Sequence, residues 1–185
     1  MSWEDLGLAR RSWRTGTAWG VAAIAVVAGV YAVAAALPVT RAAFLDARYH
    51  LPAVKALVSA FVVIPIATVL LEEVAFRGVI LGLVRRHHGV RRAAGFSSAL
   101  FGLWHILPSL RLGTVNPAVA AVFGSGALAQ VVIVAAAVAF TGGAGLLFCE
   151  LRHRSGSLLA AAGLHWATNG LGVVVALVLW NLHPS

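Results

Sequence analysis

No charged residue interrupts the chain between Thr17 and Leu37, and a helix needs roughly 20 mostly apolar residues to cross a hydrocarbon core of roughly 30 Å. More such runs follow. One extends from Ala53 to about Val84, with Pro65 as its expected kink. Another covers Ala93 to Leu107 and is closed by Pro108. The stretch from Ala118 to Cys149 has its best single span at Ala127 to Phe148, preceded by a piece that suits a re-entrant or interfacial segment. The final run is Leu158 to Trp180. Composition agrees: 61% of the 185 residues are hydrophobic and 11% charged, where soluble domains average about 45–50% and about 25%. A soluble globular domain is excluded. The sequence predicts an all-α fold, a polytopic transmembrane bundle of about five spans with a polar site buried at membrane depth. Residues 1–16 form an N-terminal flank and residues 17–185 a single membrane domain.

The chain carries 14 Lys+Arg against 6 Asp+Glu, a formal net charge of +8. Such a balance normally raises nucleic acid as a partner. Here the arginines sit between apolar runs, so topology explains them and the expected partner is the lipid bilayer. With the N-terminus in the cytoplasm, the inner segments hold Arg10, Arg11, Arg14, Arg85, Arg86, Arg91, Arg92, Arg152 and Arg154; the outer ones hold only Arg41, Arg48, Lys55 and Arg111. That asymmetry satisfies the positive-inside rule and predicts an integral protein of the inner cell membrane. The stretch Arg85 to Arg92 is a topology determinant that can also attract anionic headgroups. Trp13, Trp19 and Trp180 fit interfacial belts.

Some ionisable residues remain that no loop accommodates: Glu72, Glu73, Arg77, His105 and His165, with the amides Gln130 and Asn169. A charge at the bilayer centre costs about 2.5–3.5 kcal/mol on insertion scales, so such residues face the bundle interior and mark function. At about 1.5 Å per residue, Glu72 lies about 18 Å in from Val84, His105 about 18 Å in from Ala93, and Asn169 about 18 Å in from Ser157, with His165 about 12 Å in. Three helices therefore bring polar groups to a similar level. Glu73 and Arg77 share a helix face and can pair, which leaves Glu72 to address a different neighbour as the candidate base. His165 and Asn169 share a face as well, and Phe101 lies one turn before His105, where it can wall a pocket. Gln130 is expected to pack or bond within the bundle.

A carboxylate, two imidazoles, an amide and a buried arginine are the parts needed to hydrolyse a peptide bond with an activated water. By role, Glu72 and His105 activate the water, His165 and Asn169 donate to the oxygen that gains charge, and Arg77 supports the carboxylates. Other intramembrane protease chemistries lack their residues. There is no His-Glu-x-x-His, the aspartates Asp5 and Asp46 lie in flanks or loops, and Ser125 has no Gly-x-Ser-x-Gly setting. Cys149, alone of its kind, reads as inert packing. His50, His87, His88, His153 and His183 read as solvated residues in loops or at the terminus, while Trp104 and Trp166 either shape the pocket or pack.

Three ordered segments carry a resemblance: Glu72-Glu73-Val74-Ala75-Phe76-Arg77, Phe101-Gly102-Leu103-Trp104-His105 and His165-Trp166-Ala167-Thr168-Asn169. They are similar to the Glu-Glu-x-x-x-Arg, Phe-x-x-x-His and His-x-x-x-Asn motifs of the CPBP intramembrane proteases, which include CAAX-processing endopeptidases and bacterial Abi-type relatives. The likeness covers roughly residues 54–180. It implies an all-helical membrane endopeptidase acting on a membrane-associated protein or peptide, its site opening toward the cytoplasm. Glu72 would be the catalytic carboxylate, assisted by Glu73, His105, His165 and Asn169. Two Glu and two His are donors a zinc ion can use, but no recognised zinc spacing occurs, so the expected mechanism is metal-free. Glu, His and Arg at mid-depth also build proton relays, which makes a small proton-coupled transporter one alternative and a non-catalytic membrane scaffold another. Neither the substrate nor the oligomeric state is encoded in these motifs.

Overall fold

The computed structural model describes residues 1–182, and all regular structure within them is helical. His183 lies outside the described residues. A short α1 (Trp3–Leu6) precedes the long α2 (Trp13–Ala36), and α3 (Pro38–Arg41) begins the connection to the next long helix. Continuous helical structure then runs from Ala53 to Trp104. It is divided at Gly89, whose φ of 76° and ψ of 170° are non-helical. Glycine alone takes that conformation without a Cβ penalty. The two arms, α4 (53–88) and α5 (90–104), fold against each other as an antiparallel hairpin in which Leu81 packs with Ala93 and Ser97 donates to the Phe76 carbonyl at 2.7 Å. Three short helices follow, α6 (Ile106–Ser109), α7 (Leu112–Val115) and α8 (Pro117–Phe123), and the long α9 (Ala127–Ser155) and α10 (Leu158–Leu182) complete the bundle.

Four helical stretches are long and apolar enough to cross a membrane, Trp3–Ala36, Ala53–Trp104, Ala127–Ser155 and Leu158–Leu182. The hairpin at Gly89 makes the second of these two rods, so five long helices form the bundle and the chain is an integral membrane protein. The segment Ile106–Val115 bends by 88° into Pro117–Phe123, which fits the re-entrant or interfacial character read from residues 118–126.

Three local readings change. The segment Arg85 to Arg92 is helical on both sides of Gly89 rather than open loop, and α9 continues through His153 to Ser155. His87, His88 and His153 are therefore helical. The third apolar run does not continue to Leu107: α5 ends at Trp104, and His105 occupies its cap with φ −88° and ψ 4°. Gln130 packs within the bundle, half-buried on α9, and its buried Nε2 has no hydrogen-bond partner.

α4 is the least regular rod, with wide i→i+5 turns over Ser59–Leu70 and Glu73–Ile80. Such turns are rare and recur at functional sites. Proline explains the first. In an i→i+5 ladder the donor for the Ala60 carbonyl is residue 65, and Pro65 has no N–H to give. Trp166 on α10 supplies the missing donor, its Nε1 lying 2.8 Å from that oxygen. This bond and the apolar cluster of Ala56, Ala60, Ile64, Val69 and Val173 hold α4 antiparallel to α10.

α2 runs parallel to α10 on the other side, backbone against backbone. A Cβ placed on Gly163 would stand 2.6 Å from the Gly20 Cα, so only paired glycines permit the approach, as in other tightly packed membrane helices. Tyr31 donates to the Thr168 carbonyl at 2.9 Å farther along the same seam.

All nine arginines expected on the inner side sit at one end of the bundle. There the N-terminal segment closes over the helices: Leu158 donates to the Gly7 carbonyl at 2.9 Å, Arg152 donates to the Glu4 carbonyl at 2.8 Å, and Asp5 pairs with Arg86. Gly7 has a φ of 76° and lies directly beneath the Arg152 guanidinium, so a side chain there would collide with it.

Candidate active site

The irregular middle of α4 carries Glu72 and Glu73 to the interior, where they are 7% and 1% exposed. Because the two are adjacent on a helix, their side chains diverge by about 100°, and each meets a different set of partners. Glu73 Oε1 accepts from Arg77 at 3.1 Å and lies 2.8 Å from His165 Nδ1. Glu72 Oε1 accepts from the Trp104 indole at 2.9 Å, while its Oε2 stands 3.7 Å from His165 Nε2. His165 is thus held between both carboxylates. The sequence expectation that Glu73 pairs with Arg77 and frees Glu72 for a neighbour matches this arrangement.

Arg77 is completely buried, yet only one of its nitrogens reaches a carboxylate; Nε and Nη2 have no hydrogen-bond partner. Aromatic faces surround it instead, Phe101 at 3.9 Å, Phe148 at 4.7 Å and Phe76 at 5.9 Å from ring centre to guanidinium carbon. Cation–π attraction of this kind strengthens where water is excluded. These phenylalanines, with Ala161, form one buried layer across α4, α5, α9 and α10. His165 rests on it, stacked on Phe148 at 5.1 Å.

His105 and Asn169 approach from the opposite side of the carboxylates. At the end of α5, His105 is partly exposed, and its Nδ1 donates to the Phe101 carbonyl at 2.8 Å. In the neutral ring that bond leaves the lone pair on Nε2. Asn169, one turn beyond His165 on α10, lines with Glu72 and His105 a cavity of about 580 Å³ whose rim includes Arg48, Tyr49 and Ser109. A second cavity, of about 620 Å³, reaches His105, His165 and Asn169 from the side between α2 and α9, past Tyr31, Phe140 and Leu147. The structure therefore brings the six residues singled out in the sequence to one place. Arg77 and Glu73 lie beneath it, and Glu72, His105 and Asn169 face open space.

Two residues have a part in this geometry that the sequence does not specify. For Trp104 the sequence leaves pocket wall and packing open, and nothing in a linear pattern says that the last residue of α5 bonds Glu72. Phe148 carries no signal: it stands in an apolar stretch of α9, and no spacing distinguishes the residue that meets His165.

The rim of the 580 Å³ cavity is formed by the connection before α4 and by α6–α8, at the end of the bundle away from the nine arginines. The buried layer of Phe76, Phe101 and Phe148 separates the site from the arginine-rich end.

Among the described residues no group of three or more His, Cys, Asp or Glu side chains is arranged to hold a metal ion. Glu73 Oε1 and His165 Nδ1 are bonded to each other, and His105 Nδ1 is committed to backbone. Cys149 lies buried, 3.8 Å from Ser98 Oγ.

A family model described as type II CAAX prenyl endopeptidase Rce1-like matches residues 53–171, from the start of α4 to just beyond Asn169. No curated protein and no solved structure matches the chain.

Proposed function

The chain belongs to the type II CAAX prenyl endopeptidase Rce1-like family, and within this class of intramembrane endopeptidase we propose that it hydrolyses a peptide bond using Glu72 as general base. The observation that carries the reading is the fixed environment of Glu72. One oxygen is held by Trp104, the other is buried 3.7 Å from His165 Nε2 with no hydrogen-bond partner, and the residue lines the cavity shared with His105 and Asn169.

In the proposed reaction a water between Glu72 Oε2 and His105 Nε2 gives a proton to the carboxylate as its oxygen attacks the scissile carbonyl carbon. The developing oxyanion takes hydrogen bonds from the Asn169 amide and from His165 Nε2–H, a donor when the ring is doubly protonated. Preorganised donors of this kind are worth about 2.7–4 kcal/mol each. The carbon–nitrogen bond then breaks, and the proton held by Glu72 passes to the leaving amine. Glu73 and Arg77 touch no substrate; they orient His165 and hold the second carboxylate. The donor arrangement supports a metal-free mechanism. We further assign the protein to the inner cell membrane with its N-terminus in the cytoplasm, on the distribution of arginines, and its substrate to membrane-associated proteins or peptides.

The test compares new protein N-termini in membranes from cells carrying the natural chain, Glu72→Gln at matched abundance, or neither. Fragments that appear only with the natural chain support proteolysis and identify a substrate. Identical profiles from all three, with the protein abundant and folded, would overturn it in favour of a transporter or scaffold.

A further inference from the structure

The arginine-rich end of the bundle holds more positive charge than its own carboxylates neutralise. Asp5 is shared between Arg86, which it bonds directly, and Arg85, 3.6 Å away. Arg152 is 4% exposed, and its Nη2 donates to the carbonyls of Glu4 and Asp5 at 2.8 Å and 3.2 Å, so it bonds no carboxylate. Its Nε is buried without a partner. Arg91, near the start of α5, makes no ion pair among the described residues. A buried guanidinium held by neutral carbonyls alone is costly, and a counter-charge nearby relieves that cost.

Arg85, Arg91 and Arg152 line one cavity of about 410 Å³ between α9 and the turn that joins α4 to α5. The acidic residue in its wall, Glu150, is already bonded to Arg154 at 2.6 Å. The rest of the cavity is apolar, and the two characters are ordered along it. On each helix the arginine stands nearer the end of the bundle than its apolar companion: Arg85 beyond Leu81 on α4, Arg91 before Ala94 on α5, Arg152 beyond Leu146 on α9. Leu146 and Leu147 are 51% and 52% exposed on a helix long and apolar enough to span the bilayer. The cavity thus passes from a cationic end to a surface that faces hydrocarbon.

A small inorganic anion would engage only half of this arrangement. We infer that the cavity binds one anionic phospholipid, its phosphate held by Arg85, Arg91 and Arg152 and an acyl chain laid along Leu146 and Leu147. Guanidinium groups match phosphate oxygens in pairs, and basic pockets between membrane helices recognise lipid headgroups in this way. The site is distinct from the one around Glu72: the layer of Phe76, Phe101 and Phe148 lies between them. Lipid binding therefore stands independently of proteolysis.

The full chain, purified in detergent and freed of lipid, is titrated with dioleoyl phosphatidylglycerol, dioleoyl phosphatidylcholine or glycerol phosphate, with adducts counted by native mass spectrometry and thermal unfolding followed in parallel. Phosphatidylglycerol is expected to give a single retained adduct and a raised unfolding midpoint, phosphatidylcholine a weaker response, and glycerol phosphate none. Arg85→Gln with Arg91→Gln removes two cavity arginines, whereas Arg14→Gln with Arg92→Gln removes two exposed arginines outside it. At about fivefold per arginine, the first pair is expected to weaken phosphatidylglycerol binding roughly 25-fold, and the second to leave the retained adduct in place. Leu146→Asn keeps every arginine and is expected to weaken the lipid as well. If the first pair lowers the midpoint before lipid is added, Arg91→Gln alone, which breaks no ion pair, replaces it with an expected loss of about fivefold. Equal weakening by the two arginine pairs would reduce the effect to diffuse surface charge and overturn the inference. Equal binding of phosphatidylcholine, or a response to glycerol phosphate as large as that to phosphatidylglycerol, would overturn it too, the latter in favour of a free phosphate compound.

Discussion

Trp104 donates its indole N–H to Oε1 of Glu72 over 2.9 Å, joining the last residue of α5 to a carboxylate 32 positions earlier in the chain. Half-exposed on its other face, the indole fixes the orientation of the Glu72 carboxylate. Trp104→Phe keeps the ring's contact with Phe76 and removes only the donor. A hydrogen bond to a charged group contributes about 1.5–3 kcal/mol, so kcat is expected to fall roughly ten- to hundredfold. Assay with a fragment pair identified from the N-terminus comparison measures it. Full kcat with an altered KM would show that the indole packs against substrate instead.

Arg77 and Glu73 form a buried pair at 3.1 Å. Removing one member leaves the other's charge uncompensated, which costs about 3–5 kcal/mol. Arg77→Met is therefore expected to lower the midpoint of thermal unfolding in detergent sharply. The double change Arg77→Met with Glu73→Gln removes both charges and should recover much of that loss while activity stays low, because His165 has lost the carboxylate that orients it. Recovery of activity along with stability would remove Glu73 from the positioning role.

Trp166 answers the carbonyl that Pro65 cannot. Trp166→Phe leaves the Ala60 oxygen buried without a donor, an expected loss of about 1–3 kcal/mol. Adding Pro65→Ala restores a backbone N–H in α4 and should return part of the loss. Equal stability of the single and double variants would show that the wide turns have another cause.

Outside the membrane-spanning helices, Asp46 is buried in the connection before α4. Burial pushes its carboxyl up, but hydrogen bonds from the Arg48 side chain and backbone outweigh that and hold it below the usual carboxylate range. The folded state thus binds this proton less tightly than the unfolded chain does. The resulting stabilisation is complete above the unfolded value of about 3.9 and is lost as pH falls through the depressed folded value. Asp46→Asn is expected to be less stable at neutral pH and to lose less stability than the natural chain on acidification below about pH 4. Parallel pH profiles of unfolding for the two chains would refute this.

Glu73 and His165 spend their facing atoms on each other, and the proposed water activation assigns every proton to a protein group. Cleavage is therefore expected to survive prolonged exposure to a strong chelator, such as phenanthroline or a tetracarboxylate. Loss of activity that returns on adding zinc would establish a metal-dependent reaction.

Much of this architecture was legible because membranes penalise polar groups: once the apolar runs were marked, Glu72, Glu73, Arg77, His105, His165 and Asn169 stood out as residues with no cheap place to be. Their spacing also separated the roles of Glu72 and Glu73. Tertiary arrangement was less accessible. Counting depth along an ideal helix assumed that α5 continues through His105, whereas the helix ends one residue earlier and presents the ring at its cap. The role of Trp166 could not be read either, since it depends on wide turns in another helix. Charge alone located the arginine-rich end, but the filling of that end by Phe76, Phe101, Phe148 and the N-terminal segment is a property of packing.

The parallel pairing of α2 with α10 makes neighbours of helices that are synthesised far apart in time. His165 and Asn169 travel on α10, so neither can meet the carboxylates of α4 until the rest of the bundle has been inserted. A partly made chain in the bilayer therefore holds the carboxylates of α4 without the imidazole and amide that α10 brings to them.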